Sequence, residues 1–380
     1  MNYAICGTRI FNGEEILHEH AVIVEGERIA GVVETVNLPT GISQIKREGG
    51  ILAPGFIDLQ VNGGGGVLLN NTPERAAVDT MVSAHRRYGT TAMMPTIVSD
   101  TALKQKACIE AVQAALSGGN QSILGVHLEG PFLDLDKRGI HKAGTIRQIQ
   151  DTDMDWLCSL QMPAIIVTLA PEHTQAGQIR QLTDCGIFVC AGHTNARYKE
   201  LSVAIAEGLR GFTHLYNAMR PQTGREPGVV GAALDSDTTW VGIIADGHHV
   251  HPANIRIAHK AKPRGKTLLV SDAMASVGGS ESFFEIYGEK IEEEEGRLVN
   301  SKGVLAGSAI GMIDAVRIST ELVGISLEES LCMASLYPAE FLQKSTNLGR
   351  IKEGFRADLV CFDDNYTVLD SWVAGQHEAY

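Results

Sequence analysis

Residues 123–130 read ILGVHLEG: an apolar run carries His127 and Glu129 at its end, and Gly130-Pro131 then turns the chain away. A carboxylate at the end of an apolar strand is costly unless a cation or hydrogen-bond donors meet it. The pattern recurs along the chain in FIDLQV (56–61), TAMMPTI (91–97), AIIVTLAPE (164–172), GIFVCAGHT (186–194), GFTHLYNA (211–218), VGIIADGHH (241–249) and TLLVSDAM (267–274). Most of these runs are apolar on both faces, as strands of a buried parallel sheet are. Amphipathic helices are expected between them at 73–88, 100–116, 173–185 and 196–208. Strands alternating with helices indicate an α/β fold, and about eight such units indicate a (β/α)₈ TIM-type barrel.

The polar residues fall at one end of the runs: Gln60, His127 with Glu129, Glu172, His193, His214, Asp246 with His249, and Asp272. A barrel enzyme builds its active site on the face formed by the C-terminal ends of its strands. A solvent-facing strand end explains one or two such residues, but it explains the whole set poorly. The flanks read differently. Stretches such as HAVIVEGERIAGVV (20–33) alternate with period two, and so does the C-terminal tail. Both ends are expected to build one small β-sandwich domain, residues 1–53 with 349–380, beside a barrel at 54–348. Residues 275–305 read as a β-hairpin excursion on the catalytic side, with its EEEE as a solvated turn.

Bulk properties narrow the function. The formal net charge is −13 and no Lys/Arg cluster stands out, which argues against nucleic acid or an anionic membrane as partner. The seven cysteines are scattered without a CxxC, which reads as reduced thiols in a cytoplasmic protein. No apolar run approaches membrane-spanning length, and the N-terminus lacks a signal-peptide pattern.

Glu129, His193 and His214 end three strands and form a His₂Glu set, a common ligand count for catalytic zinc with a position left for water. Each histidine alone is better read as a hydrogen-bonded core or surface residue. Asp272 ends the last strand and can serve as a proton carrier, or it caps the following turn. His249 reads as a substrate contact. Arg220, Arg225, Asn217 and the Ala218 amide follow the His214 strand and suit a phosphate, or the arginines simply face solvent.

The ordered set GFIDLQVNG, HLEGPF, AGHTNA, THLYNAM, GREPG, GIIADGHHV, SDAM, LAGS and MASLYPA, closed by GRIKEGFRADLVCFD, resembles the N-acetylglucosamine-6-phosphate deacetylases of the amidohydrolase superfamily. The resemblance spans essentially the whole chain. It implies metal held by Glu129, His193 and His214, with Asp272 as general base and then acid. It implies that His141, in KRGIHKAG, polarises the acetyl carbonyl. Asn217, Ala218, Arg225 and His249 would hold the sugar phosphate, Arg225 from the neighbouring subunit of a homodimer. Gln60 and Asn62 stand where some relatives carry His-x-His and hold two metals. A neutral amide is a poor ligand, so one divalent ion per subunit is expected; zinc fits, as do iron, manganese or cobalt. Gln60 and Asn62 are then expected to face substrate. Two other readings remain: the galacto epimer as substrate, and a non-catalytic barrel kept as a scaffold. A nucleobase deaminase leaves the Asn217 and Arg225 cluster without a role.

Overall fold

The computed structural model describes residues 2–380. Its centre is a sheet of eight parallel strands: β1 (Phe56–Val61), β2 (Thr90–Val98), β3 (Val126–Glu129), β4 (Ile165–Leu169), β5 (Phe188–Ala191), β6 (Gly211–Phe212), β7 (Trp240–Ile244) and β8 (Thr267–Val270). They neighbour one another in chain order from β1 to β8. All but the first residue of β5 are buried, so helices cover the outer face while side chains fill the interior, as a (β/α)₈ barrel requires. The helices expected between strands form at Arg75–Arg86, Ala102–Ser117, Gln178–Asp184 and Tyr198–Ala206.

Closure of the barrel depends on Asp58. Between β1 and β8 no ladder forms; a single parallel bridge joins Val61 to Ala273. The gap is filled by a buried side chain. Asp58 accepts the Ser271 amide at 3.2 Å and the Ser271 hydroxyl, and also the Gln60 amide at 3.2 Å. Just beyond, the Asp272 amide donates to the Gln60 carbonyl at 3.0 Å and the Asn62 amide to the Ala273 carbonyl at 2.9 Å. The residue after Ser271 is Asp272, so this clasp places a candidate site residue.

The chain ends build two sheets beside the barrel. One orders strands 28–34, 20–25, 2–6 and 43–46; the other orders 376–379, 368–373, 359–362, 51–54, 9–11 and 16–17. Their common core includes Ile5, Ile10, Val24, Leu52, Leu359 and Trp372. On this packing we propose the division into 1–53 with 349–380 and 54–348. Most strands of the N-terminal region pair antiparallel, but 2–6 pairs with 43–46 in parallel, as 9–11 does with 51–54.

Three expectations are corrected. The excursion is a four-stranded antiparallel sheet, Phe283–Ile286, Glu289–Glu294, Arg297–Asn300 and Leu305–Ser308, rather than one hairpin. Most of EEEE lies in the second of these strands, where Ile291 is the buried residue and the glutamates face solvent. Cys158 and Cys185 form a disulfide between the ends of helices Asp151–Ser159 and Gln178–Asp184. Packing of neighbouring outer helices brings these two thiols together, which sequence spacing does not reveal. The other five cysteines are free and buried.

Burial pushes the Asp58 carboxyl up to about 6, above the ~3.9 of an unfolded chain. Between those values the folded protein keeps a proton that the unfolded chain has released. The stability Asp58 contributes therefore falls as pH rises through the window and is lost above about 6. Asn at this position keeps an acceptor for both amides and donates to Ser271. We expect D58N to gain stability relative to wild type, by up to ~3 kcal/mol, as pH rises from about 4 to 7. Denaturant midpoints at each pH read the difference, and a difference independent of pH counts against a raised Asp58.

Candidate active site

The site residues share a backbone device. His193, His214 and Asp272 each lie two residues beyond the end of a strand, and each adopts left-handed backbone, with φ of 48°, 36° and 53°. This conformation costs a non-glycine residue about 1 kcal/mol or more. It swings each side chain over the barrel mouth instead of along its strand. Gly192 makes room for His193, because a Cβ there would lie 2.6 Å from Thr168 Cγ2. Glu129 is the last residue of β3.

Three ligand atoms converge on the mouth. Glu129 Oε1 lies 3.2 Å from His193 Nε2 and 2.9 Å from His214 Nε2, and the two Nε2 atoms are 3.0 Å apart. All three residues are buried. His193 Nδ1 donates to the Lys137 carbonyl at 2.8 Å, which leaves Nε2 as the nitrogen that faces Glu129. His214 has no partner for its buried Nδ1. A buried carboxylate oxygen facing two imidazole nitrogens at this spacing calls for positive charge between them, a proton or a metal cation. The three residues thus fit a divalent metal. Burial raises the Glu129 pKa, but the two histidines outweigh it and hold the carboxyl well below its usual range.

Asp272 faces this cluster from β8. Gln60 Nε2 and Asn62 Nδ2 both donate to its Oδ1, at 3.0 and 2.7 Å, and Oδ2 is left without a protein donor. Gln60 Nε2 also donates to Glu129 Oε1 at 3.1 Å. Burial first, and then the nearby Glu129 charge, push the Asp272 carboxyl up to about 7. His141 stands across the mouth with its ring centroid 4.4 Å from that of His193. Burial, then the neighbouring His193, lowers its pKa to about 3, so its ring is neutral.

These groups line a cavity of about 500 Å³, within the range of small-molecule sites. Asn62, Glu129, His141, His193, His214, Asn217, Ala218, His249 and Asp272 all reach its wall. Gln60 stands beneath the wall as the link between the two carboxylates, and Arg225 is exposed away from this chain's own cavity. His249 Nδ1 bonds Asp246 Oδ2 at 2.6 Å. Burial lowers the His249 pKa, but the bond and charge of Asp246 outweigh it, and the ring is raised toward the cationic form. His127 faces inward and is satisfied by the Leu59 carbonyl and Thr168. Glu172 lies away from the cavity beside His173 and Asp134; its carboxylate accepts from Thr194 and the Asn195 amide, and His173 bonds Asp134 at 2.9 Å.

Sequence reasoning missed Lys137 on the wall, whose signal is the basic pair just before His141. It also missed the cover over the mouth: Ile286, Tyr287, Val304 and Leu305 of the excursion sheet.

The amidohydrolase family pattern matches residues 51–377, and a NagA composite domain matches residues 2–52. The chain belongs to the amidohydrolase family. It is 38% identical to an N-acetylgalactosamine-6-phosphate deacetylase of Shewanella sp. (strain ANA-3), over 97% of this chain and 94% of that one. It is 35% identical to an N-acetylglucosamine-6-phosphate deacetylase of Haemophilus influenzae, over 99% of both. The solved N-acetylglucosamine-6-phosphate deacetylase of Pasteurella multocida superposes with a TM-score of 0.97 at 35% identity and full coverage of both chains. A mutant of the Mycobacterium smegmatis enzyme, solved with N-acetyl-D-glucosamine-6-phosphate, superposes with a TM-score of 0.90 at 26% identity over 99% of both chains. The amidohydrolase barrel and its hydrolase chemistry on amide bonds are thus those of this chain.

The two clusters with metal-like spacing should behave differently. H214A removes a converging lone pair, and we expect at least ~100-fold weaker binding of a divalent ion in a chelator-competition titration. H173A, whose cluster is internally satisfied, should leave that affinity unchanged.

Proposed function

We propose that this chain hydrolyses the acetamide of N-acetyl-D-glucosamine 6-phosphate to D-glucosamine 6-phosphate and acetate, as a step in amino-sugar catabolism or recycling. The observation that carries the reading is Asp272, with one oxygen tied and one free, facing a His₂Glu cluster across a substrate-sized cavity. The relatives' names support the substrate class. The galacto epimer is a second reading, favoured by the name of the Shewanella relative.

One divalent ion, zinc or else iron, manganese or cobalt, would be held by Glu129, His193 and His214. When bound it supplies a Lewis acid that polarises an acyl oxygen and acidifies a water. Asp272 accepts the attacking water's proton on its free Oδ2 and returns it to the departing amine nitrogen. A carboxyl raised by burial is suited to both halves of that exchange. His141, neutral on the opposite wall, donates a hydrogen bond to the acyl oxygen as negative charge builds there. Asn62 stands on the cavity wall with its amide nitrogen held by Asp272. At the far side of the cavity Asn217, the Ala218 amide and His249, raised toward its cationic form by Asp246, receive the phosphate, and Arg225 of a second subunit completes its neutralisation. That last contact implies a homodimer. A cytoplasmic setting belongs to the same reading; no helix among the described residues is long and apolar enough to cross a membrane.

Acetate release from both epimers by the purified protein tests the reading. We expect turnover with the gluco substrate, abolished by a chelator and restored by one equivalent of divalent ion. D272N should lower kcat ~10²–10⁴-fold with its metal retained. Release from the galacto epimer alone would reassign the substrate, and full activity in D272N would remove Asp272 from its role.

A further inference from the structure

Ser99 is buried immediately after β2, and all three of its polar groups are engaged at the site. Its amide lies 3.2 Å from His141 Nδ1 and its hydroxyl 2.9 Å from the same nitrogen. Its hydroxyl also reaches the Glu129 carbonyl, at 3.4 Å. Its own carbonyl accepts the Tyr287 hydroxyl at 2.6 Å. An amide N–H can only donate, so Nδ1 must be the acceptor and the ring proton must sit on Nε2. Nε2 has no hydrogen-bond partner among the described residues, and the ring lines the cavity. The Ser99 hydroxyl then donates to Nδ1 as well, because at 2.9 Å two bare lone pairs would repel.

Tyr287 comes from the far side of the mouth. It and Gly288 form the two-residue turn between strands Phe283–Ile286 and Glu289–Glu294, with φ of 55° and 80°. Left-handed backbone at both positions is the signature of a type I′ hairpin turn, in which Asn or Gly is the preferred first residue. A tyrosine there is held in a costly conformation. Its ring reaches the cavity wall, and its hydroxyl is one bond from the residue that sets the His141 proton. The excursion sheet is therefore fastened to the barrel at Ser99.

We infer that Ser99 and Tyr287 are positioning residues for His141: Ser99 fixes the ring as its Nε2–H tautomer, aimed at the substrate's acyl oxygen, and Tyr287 locks Ser99 in place when the excursion sheet covers the mouth. Covering the substrate and arming the hydrogen-bond donor are then one event. This rests on the reading of His141 as the donor to the acyl oxygen.

The tautomer can be read without catalysis. In a long-range ¹H–¹⁵N correlation spectrum of the wild-type protein, with the His141 signals identified by their loss in H141Q, we expect an unprotonated Nδ1 and a protonated Nε2. A protonated Nδ1 overturns the proposal. In Y287F we expect the His141 ring signals to broaden or divide between tautomers, and kcat to fall about tenfold with KM and bound metal unchanged. Such a fall marks a loss confined to the transition state. A raised KM with unaltered kcat and unaltered ring signals would make Tyr287 a simple cover residue and would also overturn it. H141Q separates the two readings. If it keeps full kcat, His141 is not the donor, and the function proposed for that ring fails whatever its tautomer.

Discussion

Two carboxylates, Glu129 and Asp272, are buried at the barrel mouth with a single side chain, Gln60, bonded to both. Burial disfavours each charge, and their mutual repulsion disfavours it again. The chain resolves the conflict unequally. Glu129 receives two imidazoles and stays ionised, while Asp272 receives neutral amide donors and is pushed toward holding a proton. Divergent environments for a neighbouring acid pair are what separates a ligand from a proton carrier. The remaining architecture of the mouth serves to keep these two groups at that separation.

The backbone does much of this holding. Asp272 is bracketed by its neighbours: its amide bonds the Gln60 carbonyl on one side, and its carbonyl accepts the Ser308 amide on the other. Ser308 ends the last strand of the excursion sheet, so the cover and β1 grip the same residue from opposite sides. Asp58 fastens the preceding residue, Ser271. The left-handed turns at His193, His214 and Asp272 cost about 1 kcal/mol or more each, and such strain persists only in a frame that is bonded on every side. The cost of a buried Asp58 and the strain of the three turns are borne at the same end of the barrel, away from the apolar interior that stabilises the fold.

The fold was legible in the sequence because a buried parallel strand leaves an unmistakable apolar run, and seven of the eight ended in polar residues. The candidate site residues were legible for the same reason: Glu129, His193, His214 and Asp272 interrupt apolar stretches where a polar side chain needs a purpose. Contacts between distant segments were hidden. Asp58 looked like one more polar residue in FIDLQV, since its partner Ser271 lies 213 residues away. Ser99 and Tyr287 belong to segments whose meeting depends on how the excursion sheet folds back, and a Tyr-Gly pair at a hairpin tip carries no chemical signature of its own. The Cys158–Cys185 disulfide joins two surface helices that only the ring of the barrel brings side by side. Arg225, read as a phosphate ligand, is exposed away from the cavity of its own chain.

The choice of amides at positions 60 and 62 follows from the same geometry. Ionised carboxylates only accept hydrogen bonds, so the atom of Gln60 that faces both Glu129 and Asp272 must be its NH₂ group, with one proton for each. An imidazole placed there has at most one proton on the facing nitrogen. When that nitrogen is a lone pair, as metal binding requires, it repels both carboxylates. Histidines at 60 and 62 would therefore remove two donors from Asp272 and one from Glu129, and the deficit could be met only by a second cation in their place. The Gln60 and Asn62 amides supply that positive field from neutral groups, fixed in position and independent of any ion. On the proposed reading, the number of metals in this barrel is decided by which kind of nitrogen faces the carboxylate pair, and the amide pair holds Asp272 Oδ1 while Oδ2 stays open for a proton.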